Sequence, residues 1–119
     1  MDRPVLIMSA LAGELGLLSA AMAGNDETLA GGHTFRTGTI GEREVVVTSA
    51  GVGKVNAAMV ATLAIDHFAP REVVFTGVAG GVDPMLRIGD VVVADHVLQH
   101  DAGVLRADGF EVYQAGHVP

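Results

Sequence analysis

The chain opens with a continuously apolar segment followed by a helical pattern. Residues 4–9 read PVLIMS, which is typical of a strand that is covered on both faces and lies inside a sheet. Over residues 14–22 apolar side chains recur every three or four positions, as on one helix face, and Gly24-Asn25 ends the pattern. The apolar positions of this helix are Leu15, Leu17, Leu18, Ala21 and Met22. This stretch therefore predicts a strand, a turn and a helix.

A hairpin and a second helix are predicted next. Residues 34–40 and 45–49 are rich in β-branched residues and are separated by the turn sequence GERE, which indicates two antiparallel strands. Residues 55–68 form an Ala-rich helical segment that Pro70 ends. The positions expected to face the core are Val55, Ala58, Met59, Leu63 and Ile65.

The remaining pattern is extended and then weakens. Residues 72–76 and 90–94 predict two strands, with the glycine-rich turn GVAGG at residues 77–81 between them. After Asp95 no helical period is visible. The order of elements predicts an α/β fold with a sheet of mixed direction, formed by residues 1–119 as one domain without a linker. Because the sequence stops in what reads as a loop, we expect this domain to be incomplete.

Composition narrows the class of protein. Seven Lys and Arg stand against 14 Asp and Glu, a net charge of −7, so the clustered cations that bind nucleic acid are missing. Half of the residues are hydrophobic and the mean hydropathy is +0.43, which excludes disorder as the main state. No apolar run approaches the ~20 residues of a membrane-spanning helix. The absence of cysteine excludes disulfides and thiolate metal sites and fits the cytoplasm.

Glu14 is the first candidate for chemistry. It follows the first predicted strand, and ligands of open α/β sheets bind at the carboxyl ends of strands. A Glu in the first turn of a helix also stabilises the helix dipole by roughly 0.3–1 kcal/mol without any further role. Position alone therefore leaves a catalytic and a structural interpretation open.

Two glycine-rich segments are further candidates. Gly77-Val78-Ala79-Gly80-Gly81 would let backbone N–H groups approach a ligand, but it equally fits a tight turn between buried strands. It matches neither the dinucleotide nor the P-loop fingerprint. Ser49-Ala50-Gly51-Val52-Gly53-Lys54 could present amides to an anion, although as a helix entry it needs no ligand, and we favour the structural interpretation.

The histidines do not predict a metal site. His96 and His100 have Asp95 and Asp101 beside them, but on an extended chain they lie roughly 13 Å apart at ~3.3 Å per residue. They could share an ion on a helix, yet the Val91-Val92-Val93 run favours a strand. No Ser-His-Asp or Cys-His set can be assembled from the sequence.

The order of four motifs resembles a known family. VLIMSAL with Glu14, SAGVGKVNAA from Ser49, FTGVAGG from Phe75, and IGDVVV from Ile88 with His100-Asp101 resemble the nucleoside phosphorylase and nucleosidase superfamily. Within it, the chain is most similar to the 5′-methylthioadenosine/S-adenosylhomocysteine nucleosidases. The resemblance covers essentially the whole sequence, but it corresponds only to the N-terminal half of a family member.

The resemblance implies a function and roles for individual residues. It implies hydrolysis of the N-glycosidic bond of a thio-substituted adenosine with release of adenine, no cofactor and no metal, in a cytoplasmic homodimer. Glu14 falls on the carboxylate that orients or deprotonates the attacking water, and Val78, Ala79 and Gly80 fall on the loop that lines the nucleoside site. Val104, Phe110 and Pro119 fall in the region that reaches the pocket of the neighbouring subunit.

The residues around Glu14 and before the glycine-rich turn indicate whether the nucleophile is water or phosphate. A phosphorylase must hold a phosphate dianion, usually with arginines, whereas residues 9–14 and 75–78 contain no Arg or Lys and Glu14 would repel phosphate. These residues favour water as the nucleophile.

Two departures from the family pattern bear on activity. Val78 stands where the nucleosidases usually carry Ser or Thr. The family's Asp that protonates the adenine, and its Met-Glu pair that holds the ribose hydroxyls, belong to the C-terminal half of a family member, which this sequence does not include. We therefore expect the 119-residue chain to be inactive or nearly so by itself, with an exposed sheet edge and exposed apolar surface. A nucleosidase for another nucleoside, such as futalosine, and a non-catalytic nucleoside-binding module remain alternatives.

Overall fold

The computed structural model describes residues 3–113, which divide into two units, residues 3–80 and residues 81–113. The first unit contains a five-stranded sheet with the strand order β2-β3-β4-β1-β5. Its elements are β1 (Val5–Ser9), a 3₁₀ turn (Ala12–Leu15), α1 (Gly16–Ala21), β2 (Ala23–Ala30), β3 (His33–Ile40), β4 (Arg43–Ser49), α2 (Lys54–Phe68) and β5 (Glu72–Phe75). The mixed sheet with its two helices confirms the predicted α/β class.

The apolar strand β1 lies inside the sheet, as its sequence predicts. It pairs in parallel with β4 on one side and with β5 on the other, whereas β2, β3 and β4 form an antiparallel series. In this register Ser9 lies beside Ser49 and Met8 lies beside Phe75. The carboxyl ends of three parallel strands therefore meet at one edge of the sheet.

Two apolar clusters cover the two faces of the sheet. On one face Leu6 and Met8 of β1 pack with Phe35 of β3 and with Val60 and Ala64 of α2. On the other face the buried residues are Leu15, Val45 and Val47, and Ile7 packs against them. Alternation along β1 sends successive side chains into opposite clusters, which explains why the strand is apolar from Val5 to Met8.

The predicted inward face of α2 is largely wrong. Val55, Ala58, Met59 and Ile65 are exposed, and of the five predicted positions only Leu63 packs against the core. The buried side chains of this helix are instead Val60 and Ala64. Apolar residues, many of them alanine, surround the helix axis, so periodicity alone cannot select the face that meets the sheet.

The strand β2 is absent from the sequence-based prediction, which ended the first helix at Gly24-Asn25 and assigned nothing to the residues after it. Its side chains are mostly polar and exposed, and it is held by backbone pairing with β3. Gly31 and Gly32 form the two-residue turn between these strands, with φ of 57° and 79°. Two consecutive positive φ angles are typical of a type I′ hairpin turn, and the Gly-Gly pair was the local signal for it.

The second unit differs from the prediction in two places. Residues 90–94 are not a strand, since no ladder pairs them among the described residues, and the Val91 and Val93 side chains are 89% and 90% exposed. A β-branched run forms a strand only where a neighbouring strand satisfies its backbone. Conversely, the weakly patterned segment after Asp95 contains an antiparallel hairpin of β6 (Gly103–Arg106) and β7 (Gly109–Val112).

The sheet of the first unit has an exposed apolar edge, as expected. β5 is an edge strand, and the side chains of Val73, Val74 and Phe75 are all exposed. Within residues 3–113, no helix is both long enough and apolar enough to cross a membrane.

The orientation of α2 can be tested with the same substitution at two positions of the helix. Val60 is 0% exposed and Val55 is 82% exposed. Val60→Ala removes two buried methyl groups and should lower the free energy of unfolding by about 2–3 kcal/mol, whereas Val55→Ala should change it by less than about 0.5 kcal/mol. Urea unfolding followed by circular dichroism measures both values. Equal losses at the two positions would contradict this orientation.

Candidate active site

The loops that follow β1, β4 and β5 are joined by backbone hydrogen bonds. The Ala50 N–H donates to the Ser9 carbonyl at 2.8 Å, and the Gly51 N–H donates to the Ala10 carbonyl at 3.0 Å. On the other side of β1, the Thr76 N–H donates to the Met8 carbonyl at 2.8 Å. The end of the central strand is thus held from both sides, and the turn that follows it begins from a well-defined position.

Glu14 lies in the 3₁₀ turn directly after β1. Leu11 precedes this turn in an extended conformation, and its carbonyl accepts the Glu14 N–H at 3.1 Å. The Glu14 side chain turns back, so that its Oε2 accepts the Leu11 N–H at 2.8 Å. This is the carboxylate half of a capping box, in which an acidic side chain satisfies a free N–H at the start of a helical turn.

The second carboxylate oxygen of Glu14 reaches a distant part of the chain. Its Oε1 accepts the backbone N–H of Val78 at 2.9 Å across 64 residues of sequence. Val78 belongs to the loop after β5, so a single side chain connects the turn after β1 with the glycine-rich loop. The predicted residues Glu14 and Val78 are therefore brought together, but by the Val78 backbone, since its side chain is 90% exposed.

These hydrogen bonds favour the ionised carboxylate. The N–H of Val78, followed by that of Leu11, lowers the pKa of Glu14 below the ordinary value of 4.5. Desolvation opposes this shift to a smaller extent, and the backbone of Ala10 adds a still smaller lowering of the pKa. Glu14 is therefore negatively charged at neutral pH. Each carboxylate oxygen has two lone pairs and uses one for Leu11 or Val78, which leaves acceptor capacity for a water molecule.

Gly77 allows this close approach between Glu14 and the loop. A Cβ atom at Gly77 would lie 2.9 Å from Glu14 Oε1 and 3.4 Å from its Cδ. The sequence analysis included Gly77 in the candidate glycine-rich segment but gave it no individual role, and it did not name Leu11 as a site residue. The available signal for Gly77 was its place directly after a predicted strand, at the edge where Glu14 was expected.

The other predicted site residues lie in different surroundings. Ala79 and Gly80 follow Val78 in the same exposed loop. Val104 lies in β6 and Phe110 in β7 of the second unit, and Pro119 lies outside the described residues. The segment from Ser49 to Lys54 is a helix entry, in which the Asn56 side chain donates to the Val52 carbonyl at 2.8 Å.

The described part of the chain shows no cluster of side chains suited to bind a metal ion. Residues 3–113 contain no group of three or more His, Asp or Glu side chains placed to hold an ion. His96 Nδ1 lies 3.2 Å from Asp95 Oδ1 on the exposed surface, and this pair has no third partner of that kind.

Two cavities lie at opposite ends of the sheet in the first unit. The larger, about 690 Å³, is at the amino end of the parallel strands, is lined by Arg3, Arg43 and Arg71 among others, and does not include Glu14. The smaller, about 160 Å³, adjoins the 3₁₀ turn and is lined by Ala12, Leu15 and Ser49 among others, and Glu14 does not line it either. We take the smaller cavity to be the relevant one because it lies at the carboxyl ends of the strands, beside the turn that carries Glu14.

Comparison with known proteins identifies the family. The family model described as the phosphorylase superfamily matches residues 4–118. The chain belongs to the phosphorylase superfamily. The 5′-methylthioadenosine/S-adenosylhomocysteine nucleosidase of Geobacillus kaustophilus is 43% identical over 113 residues, covering 95% of this chain and 46% of that protein. The predicted resemblance to this group of nucleosidases is thus confirmed.

Solved structures of the superfamily agree with the fold. The 5′-methylthioadenosine/S-adenosylhomocysteine nucleosidase of Streptococcus pneumoniae with a transition-state inhibitor matches with a TM-score of 0.85 and 36% identity over 98% of this chain and 50% of that one. The futalosine hydrolase of Helicobacter pylori matches with a TM-score of 0.69 and 30% identity over 76% of this chain and 39% of that one. This phosphorylase-superfamily chain spans about half the length of the relatives that it matches.

Because Gly77 packs closely against Glu14, adding one methyl group at Gly77 should change the pKa of Glu14. Gly77→Ala should push the Glu14 carboxylate away from the Val78 N–H and thereby raise the pKa of Glu14 towards the ordinary glutamate value. Side-chain ¹³C NMR during a pH titration measures this pKa. Gly80→Ala is the matched control, because a Cβ there meets nothing within 4 Å. If both variants titrate like the parent, the contact is not tight.

The ionised state of Glu14 also predicts a pH-dependent contribution to stability. Since its pKa is lowered on folding, its contribution is complete above the ordinary value of 4.5 and is lost as the pH falls through the folded-state pKa. Glu14→Gln should therefore destabilise the chain at about pH 7 and have less effect at about pH 3. Urea unfolding at both pH values measures the difference. Glu42→Gln removes the same charge from an exposed turn and is the control, and a pH-independent effect of Glu14→Gln would contradict the prediction.

Proposed function

We propose that this chain supplies the water-activating half of a nucleosidase that hydrolyses the N-glycosidic bond of 5′-methylthioadenosine or S-adenosylhomocysteine. The observation that carries the proposal is the Glu14 carboxylate, ionised and held by the N–H groups of Leu11 and Val78 at the carboxyl ends of three parallel strands. The similarity to nucleosidases over 95% of this chain supports the substrate class.

In the proposed reaction, water replaces the purine on the anomeric carbon of the ribose. The bond between that carbon and the purine nitrogen breaks, the water oxygen bonds to the carbon, and the nitrogen keeps the electron pair. Glu14 accepts a hydrogen bond from the water and takes its proton as the new bond forms, while an acid must protonate the departing base. The net result is one adenine and one free thioribose for each water consumed.

Water is favoured over phosphate by the charge at this position. Glu14 carries a negative charge, and no Arg or Lys lies in residues 9–14 or 75–78. A phosphate dianion would be repelled by the carboxylate and would lack the bidentate cations that usually hold it. We therefore expect adenine release to be independent of phosphate.

The remaining site residues belong to the same proposal. The exposed loop of Val78, Ala79 and Gly80 offers backbone groups to the nucleoside beside Glu14. We propose that Val104, Phe110 and Pro119 contribute to the pocket of a partner subunit in a homodimer, which is the arrangement that the family resemblance implies. Location in the cytoplasm remains a prediction from the cysteine-free sequence.

The residues of the first unit supply only part of a nucleoside site. The cavity beside the 3₁₀ turn measures about 160 Å³, whereas pockets for small molecules usually enclose about 300–1,000 Å³. Glu14 can act as the base, but the proposed mechanism also needs an acid for the purine. Since a positioned acid or base contributes about 10²–10⁴-fold to a rate, we expect the 119-residue chain to turn over substrate very slowly by itself.

The proposal is tested by supplying the rest of the site. The Geobacillus kaustophilus nucleosidase aligns with this chain over 113 residues. The part of that nucleosidase that follows the aligned residues can be fused to the end of this chain to form a chimera. We expect this chimera to release adenine from 5′-methylthioadenosine and the chain alone to be almost inactive. Glu14→Gln should lower kcat of the chimera by about 10²–10⁴-fold, and Glu42→Gln is the control. Rapid turnover by the chain alone, or a fully active Glu14→Gln chimera, would refute the proposed division of roles.

A second candidate substrate is futalosine. The match to a futalosine hydrolase at 30% identity over 76% of this chain favours it, and the same base could serve either nucleoside. Calorimetric titration of the chain with methylthioadenosine and with futalosine ranks the two ligands. Binding of a nucleoside by the chain, combined with no base release even in the chimera, would instead indicate a non-catalytic binding module.

A further inference from the structure

Ser9 is a buried polar residue at the end of an otherwise apolar strand. Among residues 3–113 only Ser9 and Thr48 are buried polar residues, and Ser9 is 0% exposed. Burying a hydroxyl group is unfavourable unless it forms a hydrogen bond. A small apolar residue would fill this position without needing a hydrogen bond, so the partner of the Ser9 hydroxyl indicates what the serine contributes.

The Ser9 hydroxyl bonds to the residue that holds Glu14. Ser9 Oγ donates to the Leu11 carbonyl at 2.8 Å, and the same carbonyl accepts the Glu14 N–H at 3.1 Å. The Leu11 N–H in turn donates to Glu14 Oε2 at 2.8 Å. Leu11 therefore contacts Glu14 through both its N–H and its carbonyl, while the buried hydroxyl fixes that carbonyl from the core side.

Ser9 is itself held firmly in the sheet, so its hydroxyl bonds to the Leu11 carbonyl from a fixed position. Its own carbonyl accepts the Ala50 N–H at 2.8 Å, and it lies beside Ser49 in the parallel ladder. Leu11, by contrast, has a side chain that is 54% exposed and lies where the chain leaves the sheet. The Gly51 N–H holds the Ala10 carbonyl at 3.0 Å, on the amino side of Leu11. On the carboxyl side, the Leu11 carbonyl is held only by the Ser9 hydroxyl and by the Glu14 N–H of the turn itself, among the hydrogen bonds of residues 3–113.

We propose that Ser9 is a positioning residue for Glu14, whose buried hydroxyl holds the Leu11 backbone so that the carboxylate is presented at the carboxyl end of β1. This inference rests on the proposed role of Glu14 as the base. Ser9 does not touch the substrate in this proposal, and it acts only through Leu11.

The test measures the Glu14 carboxylate directly in the 119-residue chain. Ser9→Ala removes the hydroxyl and should weaken the Leu11 N–H bond to Oε2, which would raise the pKa of Glu14. We expect its acid dissociation constant to fall about 2- to 10-fold, the equivalent of losing part of one hydrogen bond. Side-chain ¹³C NMR titration gives this value without any need for turnover.

Thr48→Val is the matched control. Thr48 is the other buried hydroxyl, and it donates to the Thr34 carbonyl at 3.0 Å and bonds to His33 Nε2 at 2.8 Å, with no bond to the Glu14 turn. Its removal should lower stability and leave the Glu14 titration unchanged. An unchanged titration in Ser9→Ala, or an equal shift in both variants, would overturn the proposal.

Two further measurements keep the result decisive. If Ser9→Ala does not fold, Ser9→Cys leaves no void at this position and replaces the hydroxyl with a poor donor, so the pKa of Glu14 must still rise if the proposal holds. A shifted titration in an inactive chimera would retain the positioning role and reject the proposed function. An active chimera in which Ser9→Ala changes neither the titration nor kcat would reject the positioning role alone.

Discussion

The parallel pairing of β1 with both β4 and β5 is the constraint on which the rest of the structure depends. It places three strand ends side by side and lets the loops after them bond to one another. It also requires apolar side chains on both faces of β1, because each face is covered by a separate cluster. The same strand therefore supplies the centre of the core and the support for the charged group at its end.

The site is held mainly by backbone groups. Glu14 receives its hydrogen bonds from the N–H groups of Leu11 and Val78, and neither of those side chains is needed for the contact. Substitution at either position, proline excepted, leaves the donor in place. Sequence identity at the donor residues is thus a poor guide to whether the site is intact, and the close-packed Gly77 and the buried Ser9 are better ones.

The predictable parts of the fold are those with strong local patterns. The apolar run of β1, the hairpin of β3 and β4 and the extent of α2 could be predicted because a few neighbouring residues determine each of them. β2 could not, since its polar residues are ordered by pairing with β3, and the inward face of α2 could not, since alanine does not distinguish its sides. Glu14 was a candidate from its place after a strand, but its contact with Val78 spans 64 residues and leaves no local pattern.

The hydrogen bond between Glu14 and Val78 couples the protonation of the Glu14 carboxylate to the order of the loop after β5. Whatever orders the loop after β5 holds the Val78 N–H more firmly against the carboxylate and makes Glu14 a stronger acid. By thermodynamic reciprocity, protonation of Glu14 must loosen that loop to the same extent in free energy. A ligand that binds to this loop and orders it would therefore also lower the pKa of Glu14, without contacting the turn on which Glu14 lies.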